Sequence, residues 1–166
     1  MEPVIEPSQL LSAQHQELRQ LFGDILLGDP ARAVGRALFR RLSDLLAAHM
    51  KVEEALVYPA LCIEATEDFL LRAAEEHLLC KRVLGDLLRL DAGHPTFRAK
   101  LEVLRDLTLH HAEQEERVLL PVIRAVIGRE DAEALGSKML GLSSALVRGK
   151  GRRMLLRETD SAASIY

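Results

Sequence analysis

The 166-residue chain has no tryptophan, two tyrosines, four phenylalanines and two cysteines. Cys62 and Cys80 are too few and too unpatterned for a disulfide framework, so the fold must rest on a packed core, and reduced thiols in the cytoplasm are the expectation. No run of about 20 apolar residues occurs, so neither a transmembrane helix nor a membrane partner is expected. The opening Met1-Glu2-Pro3-Val4-Ile5-Glu6-Pro7 lacks a basic segment followed by an apolar one, and no signal peptide is expected. An excess of one charge is missing too. A net charge of -3 with both signs interspersed leaves no footprint for nucleic acid or a lipid surface. Only residues 148–157 are locally basic, through Arg148, Lys150, Arg152, Arg153 and Arg157. No aromatic interleaves them to stack on bases, so residues 148–166 are expected to be a solvated, flexible tail whose one candidate partner is a protein.

What the chain has is helix. Leu, Ala, Glu and Arg dominate, β-branched residues are sparse, and 48% of residues are apolar, which suits one all-α domain over residues 1–147. Pro7-Ser8 resembles an N-cap, followed by Leu11, His15, Leu18, Phe22 and Ile25 at helical spacing up to Gly28-Asp29-Pro30. A second helix is expected with Pro30 at its first position and Leu38, Leu42, Leu45, His49, Glu53 and Leu56 facing inward. Thr66, with Glu67 and Asp68 behind it, opens a third that runs to about Leu90. The fourth carries Leu101, Leu104, Leu107, His111, Glu115, Val118 and Leu119, and a shorter fifth is expected over residues 130–147. Long helices with short connections predict an antiparallel up-down four-helix bundle.

A repeat gives this bundle its chemistry. His49-x-x-x-Glu53-Glu54 with Pro59, and His111-x-x-x-Glu115-Glu116 with Pro121, are offset by 62 residues. The same offset maps His15 onto His77, Gly23 onto Gly85 and Asp24 onto Asp86. With six histidines in 166 residues, a position fixed in advance is histidine by chance about 4% of the time, so the His15/His77 match is informative. One helical hairpin is used twice, each copy offering a lone histidine and then a His-x-x-x-Glu pair. Gly23 and Gly85 are candidates for close helix approach, and Pro59 and Pro121 are expected to end or kink their helices.

Positions i and i+4 lie one turn apart on one helix face, so each His-x-x-x-Glu pair can reach a common point. The six candidates lie inside the apolar stripes, and an unpaired carboxylate buried there costs several kcal/mol. A cation removes that penalty, with neutral imidazoles supplying lone pairs. Mixed nitrogen and carboxylate donors suit iron, with manganese and zinc as lesser contenders. If each glutamate bridges, two ions each receive two nitrogens and two oxygens. An oxo or hydroxo bridge would add a fifth donor and leave one position per ion open to dioxygen, nitric oxide or peroxide. Glu54, Glu76, Glu113 and Glu116 are candidates either for the open positions or for orienting the histidines. Cys80, one turn from His77, is read as a buried structural thiol, His94 as a loop residue, and His110 as exposed or outside the ligand set.

On His15, His49-x-x-x-Glu53, His77 and His111-x-x-x-Glu115, residues 8–125 resemble the hemerythrin-like HHE cation-binding domains. The resemblance implies a non-haem di-iron centre held by those six residues. Oxygen-carrying hemerythrins offer His-x-x-x-His on the third helix, and here the fourth residue after His77 is Lys81. The ligand set is closer to the di-iron proteins of iron–sulfur cluster repair, whose cysteine-bearing N-terminal segment is absent here. The expected role is binding or sensing oxygen, nitric oxide or peroxide, or handling iron under stress. The alternative is a regulatory module with a structural or sensory metal, and no particular turnover is implied.

Overall fold

The computed structural model describes residues 5–148 and 151–166. Met1 to Val4, at the start of the segment read above for a signal peptide, and Lys150 of the basic cluster lie outside the described residues. No strand occurs among the described residues. Four long helices, α1 (Pro7–Leu27), α2 (Ala33–Val52), α4 (Glu67–Arg89) and α5 (Phe97–Gln114), surround the core. The short α3 (Tyr58–Leu61) and α6 (Leu120–Val126) extend α2 and α5. α7 (Arg129–Val147) and α8 (Gly151–Leu155) follow. Among the described residues no helix is long and apolar enough to cross a membrane.

α1 packs along α2 and α5, and α4 along α5, whereas α2 and α4 meet at fewer positions. Paired residues give the directions. Glu17 meets Arg41 while Gln14 meets His49, and Asp86 meets Lys100 while Glu76 meets His111. Partner numbers fall as residue numbers rise, so within each hairpin the helices run antiparallel. α7 is as long as its neighbours and packs across α1 and α2, so the expected short fifth helix is a full element.

Several termini differ from the sequence reading. α1 starts at Pro7 with Glu6 as its cap residue, and Ser8 is buried, accepting a hydrogen bond from Arg124. α2 starts at Ala33 instead of Pro30, because Asp29 Oδ1 accepts from the Ala31 amide and holds residues 29–32 in a turn. That turn lies against Gly35, where a Cβ would sit 2.3 Å from the Asp29 carbonyl oxygen. Gly23 and Gly85 face no close backbone, so the glycines that permit close approach are Gly35 and Gly136, the latter against Ile5.

Pro59 and Pro121 do not end their helices. Each follows a π-helical turn, Glu53–Val57 and Glu115–Leu119, in which the residue before the proline donates five residues back, Tyr58 to Glu53 and Leu120 to Glu115. Proline has no N–H, and its ring collides with the carbonyl four residues earlier in a regular helix; one extra residue in the turn relieves both conflicts.

Two apolar clusters fill the interior. One contains Leu18, Phe22, Ile25, Leu42, Leu84 and Leu104; the other contains Leu11, Val57, Leu70, Leu119, Ile123 and Met139. Burying each such side chain stabilises the fold by about 1.5–3 kcal/mol. In sequence His15 falls between Leu11 and Leu18, and His77 between Ala74 and Cys80, so the titratable residues form a layer between the two clusters.

Residues 151–166, part of the segment expected to be a flexible tail, pack against the bundle. Leu155 is 2% exposed in the first cluster and Ile165 1% in the second. Glu158 pairs with Lys51 at 2.7 Å and with Lys81 at 3.4 Å, Arg152 with Asp44 at 2.6 Å, and Arg82 donates to the Thr159 and Asp160 carbonyls. Two apolar anchors ten residues apart leave no periodic trace in a sequence, and basic residues paired with the bundle look the same there as solvated ones.

Candidate metal centre

Each of the four long helices brings one histidine to the buried layer: His15 from α1, His49 from α2, His77 from α4 and His111 from α5. Glu53 and Glu115 come from the first residues of the two π turns, and both are 0% exposed. Donor atoms of His15, His49, Glu53 and Glu115 lie within 4.8 Å of one another, as do those of Glu53, His77 and His111. The structure therefore brings all six sequence candidates together in two overlapping groups that share Glu53. Glu115 also reaches the second group, its Oε1 lying 3.3 Å from His111 Nε2.

Each imidazole is held from behind through Nδ1. His15 is 3.0 Å from Glu116 Oε1, His49 is 2.9 Å from Gln14 Oε1, His77 is 3.0 Å from Glu54 Oε1, and His111 is 2.9 Å from Glu76 Oε2. With Nδ1 donating outward, every Nε2 faces inward and offers its lone pair whenever the ring is neutral. This places Glu54, Glu76 and Glu116 as orienting groups, and Glu113 is exposed. The backing residues obey the 62-residue register: Gln14 maps onto Glu76 and Glu54 onto Glu116. A further layer does so too, since Arg19 grips Glu116 through two nitrogens and Lys81 Nζ lies 2.7 Å from Glu54 Oε2.

Sequence reasoning missed Gln14, Arg19, Lys81 and Tyr58 as parts of the site. The repeat could have found the first three by carrying Glu76 back to Gln14 and pairing Arg19 with Lys81. Tyr58 maps onto Leu120 and has no such signal; its hydroxyl donates to Glu115 Oε1 at 3.2 Å and lies 3.2 Å from His77 Nε2. Cys80 stays in the apolar cluster, its thiol 3.9 Å from Thr108 Oγ1, and burial pushes its pKa up. His94 and His110 are exposed.

The fit to cations rests on atoms left without partners. Both Glu53 carboxylate oxygens, Glu115 Oε2 and His15 Nε2 are buried with no hydrogen bond. His15 Nε2 and Glu115 Oε2 are 3.3 Å apart but not aligned for one. Buried polar atoms are almost always paired, and a cluster of orphans facing one focus is what a cation would satisfy. Electrostatics within the protein point the same way. Burial resists the charged form of each imidazole, and in His49 it prevails, lowering the pKa to about 4. At His15, His77 and His111 burial is outweighed by the carboxylates, and their pKa values rise. Burial likewise resists ionisation of Glu53 and Glu115, but the imidazoles hold both pKa values down. Protons on the imidazoles thus supply, in the protein alone, positive charge that a metal would supply when bound.

Comparison with known proteins agrees with this geometry. The chain is similar over 142 residues, at 22% identity, to a protein of Nostoc sp. (strain PCC 7120) named a DNA nickase; the match covers 86% of this chain and 40% of that protein. The fold is similar to the crystal structure of a hemerythrin HHE cation-binding domain-containing protein from Mycobacterium kansasii, with a TM-score of 0.78 and 27% identity, covering 92% of this chain and 98% of the other. The family model described as the hemerythrin HHE cation-binding domain matches residues 6–123. The chain belongs to the hemerythrin HHE cation-binding family.

Proposed function

We propose that the chain holds two iron ions between its helices and uses them to bind or sense a small ligand, oxygen, nitric oxide or peroxide, or to handle iron under stress. His15 and His49 would hold one ion and His77 and His111 the other, with Glu53 and Glu115 shared. The observation that carries the reading is the set of inward-facing Nε2 atoms and orphaned carboxylate oxygens in a dry layer. Such a pair of ions supplies redox change and open coordination positions.

The protein's own part is organisation. Glu54, Glu76, Glu116 and Gln14 fix ring orientation, the two apolar clusters exclude water, and Tyr58 offers a hydroxyl beside Glu115 and His77. The six residues are buried, His111 at 3% exposed being the most open, and so closed a layer favours a diatomic molecule or peroxide as ligand. Metal analysis of the purified protein, with optical spectra before and after air and nitric oxide, tests this. Two iron atoms per chain with a spectral response is the expected result; stoichiometric zinc with no response overturns it.

A second reading, a metal-bearing sensory module, is favoured by the Nostoc relative, in which the matching region accounts for 40% of a longer protein. Replacing the exposed Arg148, Arg153 and Arg157 by alanine, which leaves the buried Leu155 and Ile165 in place, separates the two: loss of partner capture with small-ligand reactivity retained would favour the module.

A further inference from the structure

The repeat is broken at one backing position. Three of the four imidazoles donate to a carboxylate, whereas His49 donates to the neutral amide of Gln14, at the position where the other half has Glu76. The amide orientation is fixed by its other end, since Gln14 Nε2 donates to Ser143 Oγ of α7 at 3.2 Å. A carboxylate behind a ligating imidazole raises its basicity, an amide oxygen does so less, and changing such backing groups alters metal affinity by about 10–100-fold.

A cleft borders each half of the centre. Gln14, together with Leu10, Glu17, Arg41, Ser143 and Ser144, lines a cleft of about 520 Å³ between α1, α2 and α7, with the Glu17–Arg41 pair on its wall, so the side chain that backs His49 borders that cleft. On the His77 side, a cleft of about 360 Å³ reaches Glu54, but Lys81 and Glu158 cross it, Lys81 binding Glu54 at 2.7 Å and Glu158 binding Lys51 at 2.7 Å. We propose that the two cation positions are inequivalent, and that Gln14 makes the His15/His49 position the one that exchanges its ion with solution. The inference rests on the two-ion reading above and assigns Gln14 as a positioning residue acting through His49.

The full-length protein, loaded anaerobically with ferrous iron and challenged with 2,2′-bipyridine, provides the test, with the coloured chelate reporting release. The expected result is two phases of equal amplitude, with rates at least about ten-fold apart. Gln14→Glu slows the fast phase to the rate of the slow one. Glu76→Gln, whose one amide oxygen can still accept from His111 while the exposed bond from Arg72 is given up, does the reverse and leaves a single fast phase. Helical content and melting temperature of the metal-free variants show whether each folds. Two ions leaving in one phase, unaltered by Gln14→Glu and by Glu76→Gln, overturns the inequivalence alone. At most one ion bound by both wild type and Gln14→Glu sinks the two-ion reading and this inference with it.

Discussion

Lys81 Nζ lies 2.7 Å from Glu54 Oε2, and Glu54 Oε1 lies 3.0 Å from His77 Nδ1, so a buried lysine stands two bonds of contact behind an imidazole of the centre. Lys81 is 3% exposed and Glu54 5%. Removing one partner of a buried pair strands the other charge and costs about 3–5 kcal/mol, whereas replacing both is far milder. Lys81→Met is therefore expected to destabilise the fold by about 3 kcal/mol in denaturant titrations, and adding Glu54→Gln to recover much of it. Additive losses would show that the pair is not coupled.

Glu53 and Glu115 carry the shared orphaned oxygens. Glu53→Gln and Glu115→Gln are expected to reduce bound metal to one ion or none. They should also cut the metal-dependent rise in melting temperature in proportion to the ions lost. With free metal at a thousand times Kd that stabilisation is about 4 kcal/mol, or roughly 10 °C, for each ion bound. Calorimetry with and without metal reads both effects; unchanged stoichiometry in both variants would remove these residues from the ligand set.

The metal-free protein should be most stable near pH 6.5. His15, His77 and His111 have pKa values raised above the ordinary 6.5 by the carboxylates that outweigh burial. Their contribution is complete below 6.5 and is lost as pH rises through their folded values. His49, lowered to about 4 by burial, acts oppositely, so stability climbs between its folded value and 6.5. Bound metal displaces these protons, so the metal-loaded protein should gain affinity where the metal-free protein weakens. Melting curves of both forms above and below pH 6.5 check the crossing trends.

Ile165 is 1% exposed within the cluster that also holds Leu70 and Ile123. Ile165→Ala is expected to cost about 2–5 kcal/mol, as for a core isoleucine. A loss near zero in chemical denaturation would mean that the C-terminal segment contributes no packing in solution.

Cys80 is 2% exposed and its thiol pKa is raised by burial, whereas Cys62 is half-buried. A thiol reagent should titrate Cys62 in the native protein and both cysteines only after unfolding. Rapid modification of two thiols in the native state would contradict the packing around Cys80.

The sequence by itself determined the helices and the six residues that meet, because helical periodicity and a fixed 62-residue offset are local or one-dimensional signals. His15, His49, Glu53, His77, His111 and Glu115 were legible since four histidines in register inside apolar stripes have one economical explanation. Tertiary structure alone decided what stands behind them. Tyr58 beside Glu115, and Glu158 bridging Lys51 and Lys81, join residues from different helices or distant turns, and no periodicity links such partners. The π turns before Pro59 and Pro121 also needed three dimensions, since a proline in sequence signals a conflict with regular helix but not how the chain resolves it. The burial of Leu155 in one apolar cluster and Ile165 in the other depended on surfaces contributed by several helices, which exist once the bundle has assembled.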